Sequence, residues 1–226
     1  MRRDATTGQA DSVVENLIRT ELLPRGVTDP RIIAAFRAVP RQAFVLPEDT
    51  SRAYENRALA IGRGQTISQP LMIGLMLQAL RAGAEDTVLE VGTGSGYQAA
   101  LLSELAGSVI TMERIPELAI DASTRLASLG YDRVTVIEGD GSCGYAPEAP
   151  YSRIIVSCAA PALPARLVEQ LSDGGIMVAP VGTLSEQTLT VATRAGDEIR
   201  QERRGGCVFV PLVGKDGWPD TAEEPG

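Results

Sequence analysis

The sequence predicts an α/β protein with a doubly wound, mostly parallel sheet, an N-terminal helical layer and an antiparallel C-terminal edge. From residue 87 onward, short apolar runs alternate with helical segments, which is the pattern of β-α-β units in a parallel sheet. A glycine-rich turn joins the first apolar run to the first of these helices. After Pro180 the helical segments stop, and two further apolar runs separated by polar turns indicate antiparallel strands.

The predicted organisation is one domain of 226 residues, because neither an internal repeat nor an interdomain linker is visible. We expect four segments in it: disordered residues 1–10, a helical layer over 11–60, a cofactor- and substrate-binding core over 61–213, and a loose tail over 219–226. The strands predicted in the core are 87–91, 108–112, 133–138, 153–157, 175–181, 187–194 and 206–211. The helices predicted there are 71–80, 96–106, 115–129 and 163–171.

Composition and charge exclude several classes of function. The net charge of −8 argues against a nucleic-acid or membrane-surface partner, because phosphate binding requires clustered basic groups. Histidine is absent, which excludes Ser-His and Cys-His catalysis, and the three cysteines lack metal-ligand spacing, so we predict no metal site. No signal peptide or membrane-spanning apolar run is visible, which predicts a cytoplasmic protein. The sequence leaves the oligomeric state open, a monomer included.

The stretch 87–97 carries the strongest functional signal. An apolar run leads into three glycines at alternate positions, Gly92, Gly94 and Gly96, and a helical segment follows directly. Glycines permit positive φ and lack the Cβ atoms that would keep a ligand away from the main chain. Glu113 ends the next apolar run, 21 positions after Gly92, where an acidic side chain suits the two hydroxyls of a ribose. The pattern predicts a nucleoside-type cofactor held across two neighbouring parallel strands.

Two further stretches each allow a structural and a functional interpretation. In the turn-rich loop 61–70, Ser68 precedes a buried helix, so its hydroxyl either caps that helix or meets an anion at the helix N-terminus. Spacing alone favours the cap. After the third predicted strand, Asp140 lies between Gly139 and Gly141. Its carboxylate could accept a hydrogen bond from an adenine amino group or cap N–H groups of the turn, and the residues leave both interpretations open.

Taken together, these motifs resemble the protein-L-isoaspartate O-methyltransferases, S-adenosylmethionine-dependent enzymes of the Rossmann-like class. The resemblance runs from about residue 27 to residue 218. The stretches that carry it are 39–45, 61–70, 88–98, 113–114, 139–141, 159–161, 180–182 and 209–212. The G-x-G-x-G loop is common to such methyltransferases, whereas the Gln-Thr-Ile-Ser-Gln-Pro run at 65–70 is specific to this family.

The resemblance implies roles for individual residues. It implies Ser68 as the catalytic residue and Thr66, Ser68 and Leu71 as substrate contacts. The cofactor contacts that it implies are Gln65, Thr66, Ile67, Ser68, Gly92, Thr93, Gly94, Ser95, Gly96, Glu113, Arg114, Gly139, Asp140 and Gly141. The family usually carries His, Tyr or another aromatic residue where this chain has Leu71, and Ser157-Cys158 replaces a more usual Thr-Ala pair. Both departures bear on the choice of acceptor.

The function implied by the resemblance is protein repair. A methyl group would pass from S-adenosyl-L-methionine to the α-carboxylate of L-isoaspartyl residues in damaged proteins and peptides, leaving S-adenosyl-L-homocysteine and an ester that collapses to a succinimide. Such a carboxyl group, with a pKa of about 3.7, is already ionised at neutral pH and needs no general base. A chain without histidine can therefore perform this reaction.

The sequence leaves three alternatives open. A peptide-tailoring enzyme would methylate a normal aspartate of one precursor peptide and lead to an aspartimide, and Leu71 keeps this possibility open. An NAD-dependent oxidoreductase would use a similar fold, but Tyr97 stands where the dinucleotide motif has its third glycine. A noncatalytic module could also retain the nucleoside pocket.

Overall fold

Two β-sheets form the framework of the computed structural model, which describes residues 12–220. The strands are β1 Leu59–Gly62, β2 Gln65–Ile67, β3 Thr87–Val91, β4 Ser108–Glu113, β5 Val134–Glu138, β6 Tyr151–Val156, β7 Leu171–Gly182, β8 Gln187–Ala195 and β9 Glu198–Cys207. β1 and β2 form an antiparallel hairpin. The other seven strands form one sheet in the order β5-β4-β3-β6-β7-β8-β9.

The seven-stranded sheet is parallel from β5 to β7 and antiparallel at its C-terminal edge, where β8 and β9 join it. The chain moves outward from β3 to β5 on one side and then returns to place β6 on the other side of β3. In such a doubly wound sheet, ligands bind outside the carboxyl ends of the strands at this reversal. The predicted fold class, including its antiparallel edge, is confirmed.

Six helices accompany the sheets within the described residues: α1 at 12–17, α2 Pro30–Ala38, α3 Pro70–Leu80, α4 Tyr97–Ser103, α5 Pro116–Ser128 and α6 Ala165–Glu169. α1 continues as a π turn, Ile18–Leu22, and a 3-10 turn, Leu23–Arg25. Asp29 accepts a hydrogen bond from the Arg31 N–H and caps α2, with Pro30 at the first helical position. Two 3-10 turns, Arg41–Phe44 and Pro47–Arg52, complete the helical part of the N-terminal region.

Both faces of the central strands of the sheet are buried, and neighbouring residues of such a strand pack into opposite cores. In β6, Ile155 packs with the helical N-terminal region, while Ile154 and Val156 pack on the other face. This alternation follows from the two-residue period of side chains along a strand. Phe44 contacts the Tyr97 ring at a centroid distance of 5.4 Å, which joins the N-terminal region to the start of α4. The helical region is thereby fixed beside the glycine-rich turn.

Two local predictions are wrong. The last strand was expected at 206–211, but β9 spans Glu198–Cys207, and its side chains are almost all exposed. An exposed, arginine-rich edge strand shows no apolar alternation, so the sequence pattern conceals it. The stretch 61–70 was expected to be a loop, but most of it lies in the β1–β2 hairpin and the first turn of α3. The segments expected to be disordered or loose lie outside the described residues, except for Pro219 and Asp220.

Within residues 12–220, no helix combines the length and apolar character needed to cross a bilayer. The last described residue, Asp220, forms an ion pair with Arg114 at 2.8 Å. The division of the chain into functional segments stays a prediction.

Candidate active site

An open cavity lies at the carboxyl ends of β3, β4 and β6, with a volume of about 900 Å³ including its mouth to solvent. The hairpin covers one side of it, and the segment 210–213 forms another wall. The sequence-predicted residues that meet here are Gln65, Thr66, Ile67, Ser68, Gly92, Thr93, Gly94, Ser95, Glu113, Arg114 and Gly141.

The glycine-rich turn is anchored to the neighbouring strand through the main chain. The N–H groups of Gly92 and Thr93 both donate to the Met112 carbonyl, at 2.9 and 3.2 Å. Gly92 has φ of 93°, and a Cβ atom there would lie 2.8 Å from the Cys158 sulfur. Gly94 has φ of 52°, and a Cβ atom there would lie 3.2 Å from the Ile61 side chain of the hairpin. The turn therefore needs glycine, and its bare backbone borders the cavity.

The third glycine serves helix packing. Gly96 has φ of 87°, and a Cβ atom placed on it would lie 3.1 Å from the Leu126 side chain of α5. Gly96 does not line the cavity. Its predicted contact with the cofactor therefore stays a prediction, while its role in bringing α4 close to α5 follows from the geometry.

Glu113 is the acidic residue at the end of β4, and it is buried against the glycine-rich turn. One carboxylate oxygen accepts from the Gly94 N–H at 2.9 Å, and the other accepts from the Ile115 N–H at 3.0 Å. Each carboxylate oxygen can accept a second hydrogen bond. Because Glu113 also lines the cavity, these remaining positions can receive the hydroxyls of a ribose.

Ser68 lies between β2 and α3, and residues of the N-terminal region hold it from behind. Its carbonyl accepts a hydrogen bond from the Arg41 guanidinium at 2.8 Å. Gln69 occupies the N-cap position of α3 without a side-chain capping bond, and the Leu71 N–H is instead capped by the Asn56 side chain at 3.1 Å. The interpretation of Ser68 as the cap of this helix is therefore wrong.

Leu71 lies outside the cavity. Its side chain is half-buried and packs against the larger of the two cores. The substrate contact implied for Leu71 therefore stays a prediction.

Asp140 turns its carboxylate towards the main chain. It accepts from the Ser142 N–H and hydroxyl at 3.0 and 2.6 Å, and from the Lys215 N–H at 2.9 Å. Burial acts to raise the pKa of Asp140, but these hydrogen bonds outweigh burial and lower it. Neither Asp140 nor Gly139 lines the cavity. The structure shows the capping interpretation of Asp140, and its contact with adenine stays a prediction, as does the contact of Gly139.

A buried polar group beneath the cavity was missed from the sequence. Glu90, in the middle of β3, is fully buried, and this burial raises its pKa to about 8 although the Thr111 hydroxyl donates to it at 2.5 Å. The carboxyl group is therefore mostly neutral at pH 7. Gln98 and Ser157 line the cavity nearby and share a hydrogen bond of 2.6 Å. The sequence feature that could have revealed Glu90 is a charged residue within an otherwise apolar strand.

The wall formed by residues 210–213 was also missed. The Ala159 N–H donates to the Val210 carbonyl at 2.7 Å, and the Leu212 N–H donates to the Ala159 carbonyl at 2.8 Å. These bonds place an irregular segment beside the end of β6. Its distance from the other cavity residues in sequence leaves no local signal that it belongs to the site.

Comparison with known proteins decides the family. The family model of protein-L-isoaspartate(D-aspartate) O-methyltransferases matches residues 11–217. This chain belongs to that family. A protein-L-isoaspartate O-methyltransferase of Methanoregula boonei is 46% identical over 202 residues, covering 89% of this chain and 93% of the relative. A counterpart of Dictyoglomus thermophilum is 48% identical over 199 residues, covering 88% of this chain and 90% of the relative.

Solved structures agree with the family at the level of the fold. One protein-L-isoaspartate O-methyltransferase superposes with a TM-score of 0.79 and 25% identity, covering 92% of this chain and 66% of that chain. A Plasmodium falciparum structure of this type, in complex with S-adenosyl-L-homocysteine, gives a TM-score of 0.76 at 23% identity, covering 90% of this chain and 98% of that chain. The predicted family and enzyme class of this isoaspartate O-methyltransferase are confirmed.

Proposed function

We propose that this cavity transfers the methyl group of S-adenosyl-L-methionine to the α-carboxylate of L-isoaspartyl residues in damaged proteins and peptides. The observation that carries the proposal is the meeting of two motifs in one cavity. The glycine-rich turn and Glu113 line this cavity together with Ser68 of the family-specific run. A methyl donor bound at the turn and a carboxylate bound at Ser68 would share one cavity, which meets the first requirement of a direct transfer, proximity of the reacting atoms.

Two features of the proposed donor side fit a nucleoside: a main chain without Cβ atoms and a carboxylate with free acceptor positions. Gly92 and Gly94 leave the main chain bare at the cavity, and Glu113 has free acceptor positions for ribose hydroxyls. When bound, S-adenosyl-L-methionine supplies a methyl group attached to a positively charged sulfur. Gln98 and Ser157, which also line the cavity, add polar groups that can bind the amino acid part of the cofactor.

On the acceptor side, Ser68 orients the carboxylate. The α-carboxylate arrives ionised, since its pKa of about 3.7 lies well below neutral pH, and no residue has to remove a proton. The Leu71 N–H of α3 already donates to Asn56, which leaves the Ser68 hydroxyl as the donor that we assign to the carboxylate. The main-chain amide nitrogen of the following substrate residue then attacks the ester carbonyl, methanol leaves with the amide proton and a succinimide forms, and water opens the ring partly to normal aspartate.

The closest alternative keeps the chemistry and changes the acceptor to a normal aspartate of one precursor peptide. Leu71 was the sequence feature that suggested it. Leu71 is half-buried and lies outside the cavity, so the structure gives this alternative no support there, and repair is the function that we favour. The match to the isoaspartate family over 11–217 decides against the oxidoreductase.

A competition between two peptides tests the proposal. An isoaspartyl peptide and its normal aspartyl twin, equal in sequence, are mixed with the enzyme and S-adenosyl-L-methionine carrying a labelled methyl group. We expect label almost entirely in the isoaspartyl peptide, followed by loss of the label as the succinimide forms. Equal labelling of the twin, or preference for it, would replace repair by the tailoring alternative. Absence of transfer to either peptide would overturn the proposed function.

A further inference from the structure

Arg41 is a fully buried cation directly behind Ser68. Its side chain has no exposed surface, and it comes from the 3-10 turn Arg41–Phe44 of the N-terminal region. Its Nε donates to the Ala53 carbonyl at 2.7 Å, and its Nη2 donates to the Ser68 carbonyl at 2.8 Å. The guanidinium also lies over the Tyr97 ring, 4.9 Å from the ring centroid, which is cation–π distance. One side chain thus connects the helical region, the start of α4 and the Ser68 loop.

The charge of Arg41 lacks a carboxylate partner. Within the described part of the chain it forms no ion pair, and its Nη1 has no hydrogen-bond acceptor. Burial lowers the pKa of Arg41 to about 10, so the group remains protonated at neutral pH. Burying an unpaired charge is costly, and stability alone does not favour it. A cost of this kind commonly marks a group kept for function.

The position of Arg41 next to Ser68 gives a reason for burying an unpaired charge. The carbonyl of Ser68 is held by Arg41, and the same residue lines the cavity to which we assign the ionised α-carboxylate. A cation in a low-dielectric interior attracts an anion more strongly than a cation in water does. Arg41 is therefore suited both to fix the position of Ser68 and to favour an anionic group beside it.

We propose that Arg41 is a positioning residue for the acceptor, which holds the Ser68 loop through its guanidinium fork and favours the isoaspartyl carboxylate through its unpaired charge. This inference rests on the proposed function. It assigns Arg41 no contact with the cofactor, because the residue does not line the cavity. The two contributions are separable, since lysine keeps the charge but cannot reproduce the planar fork that reaches two carbonyls.

The test compares Arg41→Met, Arg41→Lys and wild type in steady-state kinetics with an isoaspartyl peptide, and in calorimetric binding of S-adenosyl-L-homocysteine. Arg194→Met is the matched control, because the Arg194 guanidinium also donates to main-chain carbonyls, those of Val168, Glu169 and Leu171, away from the cavity. Cofactor binding with one site per chain shows in each case that the variant has folded.

For Arg41→Met we expect KM for the peptide to rise about tenfold and kcat to fall about tenfold, because a displaced Ser68 and a lost charge both act on the acceptor. Arg41→Lys should restore KM to within about threefold of wild type while kcat stays low. S-adenosyl-L-homocysteine affinity should change less than about twofold in every variant, and Arg194→Met should keep wild-type kinetics.

Several results would overturn the inference. One is Arg41→Met with wild-type kcat and KM. Another is a loss of cofactor affinity as large as the rise in KM for the peptide, which would show a general structural role. If Arg41→Met does not fold, Arg41→Lys decides, since wild-type kcat in that variant contradicts the positioning role. A wild-type enzyme that methylates no isoaspartyl peptide would refute the proposed function before any variant is made, and the acceptor role of Arg41 with it.

Discussion

The two parts of the cavity that we propose for the donor and for the acceptor are built in different ways. The proposed donor side depends on the main chain of one continuous turn, anchored to β4 by the Met112 carbonyl and by the Glu113 carboxylate. The proposed acceptor side depends on side chains from the N-terminal region. Arg41 reaches the Ser68 carbonyl across 27 residues of sequence, and Asn56 reaches the Leu71 N–H across 15.

This difference has a consequence for mutation. A turn held by its own backbone and by the adjacent strand depends less on the helical region, which contacts Tyr97 directly after the turn. A loop held by single side chains from that region loses its position when one of them is removed. We therefore expect substitutions in the N-terminal region to impair transfer to the peptide while cofactor binding persists. Substitutions in the glycine-rich turn should impair cofactor binding first.

The largest expected effect concerns Ser68. Ser68→Ala should lower turnover about 100-fold, because a carboxylate without its hydroxyl donor loses the orientation required for transfer. Affinity for S-adenosyl-L-homocysteine should stay within about twofold, since the donor side is held independently. The matched control is Ser128→Ala, whose hydroxyl donates to the Arg125 carbonyl on the surface. Comparable loss of cofactor binding in calorimetry would show that the role assigned to Ser68 is wrong.

The pKa of Glu90 tests whether its carboxyl group is fully buried in β3, as the structure shows. Its pKa of about 8 exceeds the ordinary value of 4.5, so the folded state binds more protons than the unfolded state between these pH values. The free energy of unfolding should therefore fall as pH rises from about 5 to above 8. Glu90→Gln removes this dependence, and the wild type should lose on the order of 3 kcal/mol relative to it across this range.

Urea unfolding of both proteins at several pH values measures the Glu90 effect. Glu117→Gln is the control, because Glu117 is exposed and pairs only with Arg63 among the ion pairs of the described residues. Parallel pH profiles for wild type and Glu90→Gln would contradict the raised pKa.

Gly92 tests the main-chain character of the donor side. Gly92→Ala and Gly26→Ala place a Cβ at nearly equal φ, 93° and 95°, so both should be destabilised by about 1–2 kcal/mol. Only at Gly92 does the added Cβ meet a neighbour, the Cys158 sulfur at 2.8 Å, whereas nothing lies within 4 Å at Gly26. We expect an additional loss of about tenfold in S-adenosyl-L-homocysteine affinity for Gly92→Ala alone. Equal affinities would mean that the turn tolerates a side chain.

The smallest effect is expected at Asn56. Asn56→Ala leaves the Leu71 N–H without its acceptor and should lower kcat/KM for the peptide about fivefold through a loosened start of α3, with unchanged cofactor affinity. Glu21→Gln is the control, because it alters the other partner of Asn56 and leaves the bond to Leu71 in place. If Asn56→Ala and Glu21→Gln give the same kcat/KM for the peptide, the bond from Asn56 to α3 has no part in binding the acceptor.

The glycine-rich turn and the acid beside it could be predicted from sequence because their determinants are local, while their contacts with the cofactor stay a prediction. Alternate glycines after an apolar run require a bare turn, and an acid at the end of the following strand must lie beside it in a parallel sheet, as Glu113 does. The apolar strands and α3 could also be predicted from sequence, since burial on both faces requires apolar residues.

The acceptor side and some details could not be predicted, because they depend on contacts between distant segments. Nothing in the run that contains Arg41 indicates that its guanidinium ends behind Ser68, and β9 carries no apolar alternation. Asp140 offered two interpretations, and the local cap on the Ser142 N–H that the structure shows is joined by a bond from the Lys215 N–H, 75 residues away. Local patterns carry no information on such partners.

A crystal structure with S-adenosyl-L-homocysteine and an isoaspartyl peptide bound together tests the two-sided site most directly. We predict the nucleoside along the ends of β3 and β4 with its ribose hydroxyls on Glu113, and the isoaspartyl carboxylate on the Ser68 hydroxyl. Density for the cofactor away from the glycine-rich turn would contradict this account, as would a carboxylate bound without contact to Ser68.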